Sequence, residues 1–241
     1  MALLLPPVVS WDIDVAILNQ LSGAVGGEPF VVQPVVEIRD KRGNLLTDIA
    51  GTIAVDLFET PSGNERICRV EENVAGASGE SHCEEKTGDC PKWHSVDVSG
   101  GKGAFDGLYL NEAGGGYQLR YVFRDEYGIA MGFVVGDPFM VEKGIPYRIR
   151  VISQPGQAYG GAVWGDQPVV AVEDRGFNLL QGVSEGTVSI HLADEVDEGP
   201  SLLRSKGGVG DTVPIVNGVA IFDGLYINDS RYSYTLNFTT S

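Results

Sequence analysis

The feature that most constrains this chain is that it contains itself twice. Residues 33 to 46 read QPVVEIRDKRGNLL and residues 167 to 180 read QPVVAVEDRGFNLL, an offset of 134. GTIAV at 51 is matched by GTVSI at 186, an offset of 135. AFDGLYLN at 104 is matched by IFDGLYIN at 221, and GYQLRYVF at 116 by SYTLNFTT at 233, both at 117. Four blocks in one order require two copies of a single folding unit. The fall in offset, 135 − 117, gives the first copy about 18 extra residues, near Val70 to Cys90.

Each copy is made of short runs rich in Val, Ile, Leu, Tyr and Phe, broken by Gly, Asn, Asp and Pro, with no helical periodicity. DKRGN and DRGFN are turn chemistry, in which Asp and Asn bond nearby backbone and Gly accepts positive φ. Tyr117, Leu119 and Tyr121, then Tyr234, Leu236 and Phe238, alternate at period two, as one buried face of an antiparallel sheet requires. The expectation is an all-β chain. It comprises a leading strand at 1–10, a first sandwich at 11–142 with an insertion at about 71–90, and a second sandwich at 143–241. Tyr117 and Tyr234 are placed to form tyrosine corners at the start of a sixth strand.

The order QPVV, acidic residue, GN, GT, A-F-x-G-L and G-Y-x-L resembles the bacterial-type immunoglobulin-like repeats found in tandem on surface and extracellular proteins. The resemblance implies two immunoglobulin-like β-sandwiches, an extracellular or cell-surface location, and adhesion or scaffolding with no common chemistry. Phe177 departs from the pattern, since the first copy has Gly43 there.

The ends of the copies differ. After its Tyr117 strand the first copy continues through RDEYGIAMGFVVGDPFMV, a turn and a seventh strand, whereas the second reaches Ser241 three residues past Phe238. The second sandwich is thus expected to lack its last strand, leaving a groove and an open edge. Aligning Pro7 with Pro138 sets LLLPPVV at 3 to 9 against VVGDPFM at 134 to 140, so the leading segment has the form of a seventh strand. Leu3, Leu4, Leu5, Val8 and Val9 are the expected donor residues and Tyr234, Leu236 and Phe238 the acceptor groove. A neighbouring copy can donate the strand by β-addition, in a manner resembling donor-strand exchange in pili. Burying four or five of these aliphatic side chains supplies about 6 to 15 kcal/mol, against roughly 4 to 15 kcal/mol for association. Pro6 and Pro7 cannot donate to the ladder, so the added strand must bend there or lie at an edge.

Charge excludes other partners. With 17 Lys+Arg against 33 Asp+Glu the net charge is −16, which repels nucleic acid and anionic membrane. No run approaches 18 apolar residues, so no membrane-spanning helix is expected. The opening MALLLPPVVS has no basic segment or small-residue cleavage site, so it is not read as a signal peptide.

Cys68, Cys83 and Cys90 fall in or beside the insertion and are disulfide candidates whose pairing the sequence leaves open. Zinc on Cys83, Cys90 and His94 matches no finger or ribbon spacing. Asn228-Asp-Ser and Asn237-Phe-Thr are glycosylation sequons, the second on an outward position if Leu236 and Phe238 point in. Asp194, Glu195, Asp197 and Glu198, and Asp40 with Asn44 and Asp48, lack calcium-loop spacing. GGKG at 100 lacks the strand-to-helix context of a phosphate loop and reads as a turn. No nucleophile pairs with a base by motif, so neither catalysis nor a cofactor or metal is expected. The sequence therefore points to a structural subunit of an extracellular filament, polymerising with itself head to tail, with Asn228 and Asn237 as candidate sites for covalent glycans. The alternative is a surface adhesin or binding module, a fragment of a longer immunoglobulin-like array.

Overall fold

The computed structural model describes residues 13–63, 65–70, 93–156, 159–193, 203–206, 210–228 and 234–241. The chain divides into two compact units, Met1–Gly144 and Ile145–Ser241. Every regular element among the described residues is a β-strand.

The first unit holds β1 (Ile13–Asn19), β2 (Val35–Asp40), β3 (Thr52–Glu59), β4 (Cys68–Arg69) and β5 (Trp93–Asp97). There follow β6 (Lys102–Ala104), β7 (Leu108–Tyr109), β8 (Gly114–Arg124), β9 (Ala130–Val135) and β10 (Phe139–Val141). One sheet runs β1-β2-β6, and the other β10-β8-β3-β5 with β9 also on β8. All these pairings are antiparallel. Val36 and Ile38 of the first sheet face Ile53 and Val55 of the second across the core. From β8, Tyr117, Leu119, Tyr121 and Phe123 point into it at every second position. This strand order is that of an immunoglobulin-like sandwich.

The second unit repeats it with β11 (Arg148–Ser153), β12 (Val169–Glu173), β13 (Thr187–Leu192), β14 (Leu203–Ser205), β15 (Thr212–Pro214), β16 (Val219–Ile221), β17 (Leu225–Ile227) and β18 (Leu236–Thr240). Its sheets run β11-β12-β16 and β15-β13-β18. The register repeats as well: Val15 opposite Ile38 becomes Ile149 opposite Val172, and Val55 opposite Tyr121 becomes Ile190 opposite Phe238.

The repeated blocks have a physical reason. Gln33 donates Nε2 to the carbonyls of Phe30 and Leu108, at 3.0 and 3.1 Å, while its Oε1 accepts the Leu108 amide at 3.0 Å. Gln167 makes the same three bonds to Trp164, Leu225 and the Leu225 amide, at 2.9, 3.3 and 3.0 Å. The Gln of QPVV thus clamps the Leu of FDGLY, tying two distant loops. The turn block is preserved the same way. Asp40 accepts the Arg42 and Asn44 amides and the Asn44 side chain, which together hold its carboxyl below the usual range. Asp174 accepts the Asn178 amide and side chain at 2.8 to 3.0 Å.

Phe177 keeps the turn despite standing where the first copy has glycine. It adopts φ +66°, the left-handed conformation that Gly43 holds at +86°, so the turn is the same. The strain costs roughly 1 to 2 kcal/mol. Against this, the ring is buried, worth about 1.5 to 3 kcal/mol, and the Arg148 guanidinium lies 3.9 Å over it. Arg148 also donates to the buried Glu173 carboxylate at 2.7 and 3.0 Å, and Arg150 at 2.7 Å. In the first unit the equivalent cross-strand pair is Asp14 opposite Arg39, the same position with the charges exchanged.

Other local readings resolve directly. GGKG is the turn into β6, closed by reciprocal bonds between Ser99 and Lys102 at 2.8 and 3.1 Å. Tyr117 forms a tyrosine corner, its hydroxyl donating to the Glu112 carbonyl at 2.8 Å.

Truncating the clamp to Ala leaves buried amide and carbonyl groups without partners, at about 1 to 3 kcal/mol each. Gln33→Ala is therefore expected to destabilise the first unit, and Gln167→Ala the second, by about 2 to 4 kcal/mol each. Urea unfolding with a probe in each unit checks that each substitution moves only its own transition.

Candidate functional site

The two units differ at the edge of the sixth strand. In the first, residues 130 to 141 run antiparallel along the outer edge of β8. Arg124 pairs with Ala130 and Arg120 with Val135, then Tyr117 with Phe139 and Gly114 with Val141. The ladder is interrupted over residues 136–138, where only the Gly136 amide still donates, to the Leu119 carbonyl at 2.8 Å. Met131, Val134 and Phe139 pack on the core and Val141 is part of it. The Phe139 ring sits 5.8 Å from Tyr117, stacked, and 6.0 Å from Phe30, edge-on. On its far side β9 reaches β1. A Cβ built on Gly132 lies 3.2 Å from Val15 Cγ2 and 3.9 Å from Ile13 Cδ1, so only glycine fits there without displacing the neighbour.

In the second unit β18 pairs with β13, Leu192 opposite Leu236 through Val188 opposite Thr240. Among the described residues nothing pairs with its other edge. The inward side chains register the difference. Tyr117, Leu119 and Tyr121 are at most 1% exposed, whereas Tyr234, Leu236 and Phe238 are only partly buried against their core. Opposite them, Ile13 is buried but its equivalent Tyr147 is 54% exposed. Between β11 and β18 opens a cavity of about 460 Å³, lined by Ile149, Val172, Val183, Ile215 and Thr240 among others. It occupies the position that β9 fills in the first unit. Trp164 stands at the place of Phe30, and its buried Nε1 has no hydrogen-bond partner among the described residues. The predicted acceptor residues Tyr234, Leu236 and Phe238 alternate along one face of β18 and pack partly buried on the second core, and none of the three is among the residues that line this cavity.

The predicted donor residues Leu3, Leu4, Leu5, Val8 and Val9 lie outside the described residues, as do Cys83, Cys90 and the acidic run 194–198. Cys68 is buried and disulfide-bonded. With three cysteines in the chain, its partner is Cys83 or Cys90. His94 on β5 bonds through Nε2 to the Ile67 carbonyl at 3.1 Å. No group of three metal-ligating side chains occurs among the described residues. Asn228 and Asn237 are exposed, and Asn237 lies on β18 between the inward Leu236 and Phe238.

No family model and no curated protein matches this chain. Matching solved structures include the Escherichia coli adhesin FdeC, at 11% identity and TM-score 0.34, covering 94% of this chain and 63% of that one. They also include dimeric latent PorU from Porphyromonas gingivalis, at 12% identity and TM-score 0.29, covering 95% of this chain and 24% of that one. The chain therefore spans less than two thirds of either. These superpositions are loose, and the fold rests on the strand pairings above.

Leu119 and Leu236 are the same residue at equivalent positions, one sealed and one at the groove. Leu119→Ala should cost about 3 to 5 kcal/mol, the range for a fully buried leucine. Leu236→Ala should cost less, roughly 1 to 2 kcal/mol, because its side chain is only partly buried against the core. Equal costs in urea unfolding would contradict an open groove.

Proposed function

We propose that this chain is a segment of a surface or extracellular array of immunoglobulin-like modules. Its work is binding and scaffolding, with no chemistry of its own, and its second sandwich is completed by an added β-strand. The single observation that carries this reading is the outer edge of β18, unpaired among the described residues and flanked by the groove between β11 and β18. An open edge beside apolar surface is an aggregation liability, and proteins keep one where a strand is to be received. The filament subunit of the sequence reading is a particular case of this, and FdeC is described as an adhesin. The disulfide at Cys68 supports an oxidising compartment. Asn228 and Asn237 are accessible to glycosylation on a secretory route, Asn237 on the face of β18 turned from the core.

The chain itself supplies the probe. A synthetic peptide with the sequence of residues 128–143 carries the strand that completes the first sandwich. Added to the whole protein, it is expected to bind with a Kd of about micromolar order. It should raise the unfolding midpoint of the second unit alone, by mass action. A peptide with the same composition in scrambled order should do neither. Absence of binding, or equal binding by both peptides, would contradict the reading.

A further inference from the structure

We propose that the strand completing the second sandwich is residues 1–10 of a second copy of this chain, so that copies join head to tail. This rests on the strand-accepting reading above and names its occupant. The first unit supplies the template, because its last strand shows what each position along the edge must provide. With Pro7 set on Pro138, Leu3 takes the place of Val134 and Val8 that of Phe139, two of the positions that pack on the core, while Ser10 falls at a further one, the buried Val141. Leu5 falls at Gly136, where a Cβ lies 3.2 Å from Gln20 Oε1 and 3.6 Å from Ile17 Cδ1. The second unit has the smaller Val151 in place of Ile17 and keeps a glutamine, Gln154, in place of Gln20, so a side chain at this point requires that glutamine to turn aside. Leu4 and Val9 correspond to Val135, opposite Arg120, and to Met140, which is 59% exposed. Three of the five donor residues therefore face the acceptor and two face solvent, a narrower set than the five expected from sequence.

The same register disposes of the prolines. Pro6 and Pro7 fall on Asp137 and Pro138, the interruption between the two stretches of ladder, where no N–H is required. Leu5 then presents its amide where the Gly136 amide donates to Leu119, so it meets the Leu236 carbonyl. Leu3 lies opposite Phe238 and Val8 opposite Tyr234. The buried Trp164 Nε1 beside the eighth position adds a donor that a carbonyl of the incoming strand can satisfy. Donor and acceptor are different patches, so the contact is heterologous and propagates unless a rotation closes it into a ring.

The test uses the whole chain in sedimentation velocity over a range of concentrations. The wild type should assemble and a variant lacking residues 1–9 should not. Leu3→Asp and Val8→Asp should each weaken association by about tenfold or more, since a carboxylate would be buried in the groove. Leu4→Asp and Val9→Asp should change it by less than about threefold. Circular dichroism verifies that each variant is folded. In parallel, peptides of residues 1–10 and of residues 128–143 are titrated onto the truncated chain. Binding of both supports the proposal. Binding of the 128–143 peptide alone, unchanged assembly on truncation, or equal effects of inward and outward substitutions overturns the donor assignment and leaves the acceptor standing. If neither peptide binds, both readings fall.

Discussion

The structure depends on the two edges of the sixth strand. A strand inside a sandwich must have its N–H and C=O groups met on both sides and its inward side chains covered, or it presents an adhesive edge. β8 meets both conditions, paired with β3 on one side and with β9 and β10 on the other. β18 meets one of them among the described residues. The features of the second unit beside this edge go with it: the partly buried Tyr234, Leu236 and Phe238, the exposed Tyr147, and the groove beside β11. The two copies share their strand order, register and glutamine clamp, so the difference cannot be assigned to a different fold.

That likeness makes the first unit a control built into the same chain. The glutamine clamp and the aspartate turn recur at equivalent positions with equivalent hydrogen bonds, and an acid stands opposite a base at one cross-strand position of each unit. Where chemistry drifts, it does so in compensated ways. Glycine gives way to Phe177 under an arginine, and the acid and base of one strand pair exchange places. Drift of this kind preserves the sandwich while leaving the edge of β18 as the feature to which function attaches.

Much of the fold was legible because period-two alternation and Gly, Asn and Asp turns are local signals. The repeat then multiplied each of them by two. The Tyr117 corner and the inward face of β8 could be read from spacing alone. Other features could not. The role of Gln33 and Gln167 depends on carbonyls some sixty to seventy-five residues away, which no window of sequence contains. The left-handed Phe177 needs Arg148 above it, a contact set by strand pairing. In LLLPPVV all five aliphatic residues look equivalent, whereas the strand at 130–141 shows that the ladder breaks and the inward face is sparser. The groove could be anticipated only by comparing the two copies. Its lining by Ile149 and Val172 became visible once both sheets were in place.

Amide hydrogen exchange in dilute solution tests the central claim most directly, since it reads the hydrogen bonding of each strand edge separately. The account predicts that amides of β18 facing away from β13 exchange at least about 100-fold faster than the corresponding amides of β8, with the core of both units protected. Equal protection on the two strands in monomeric protein would mean that the second sandwich is already sealed, and would contradict the account.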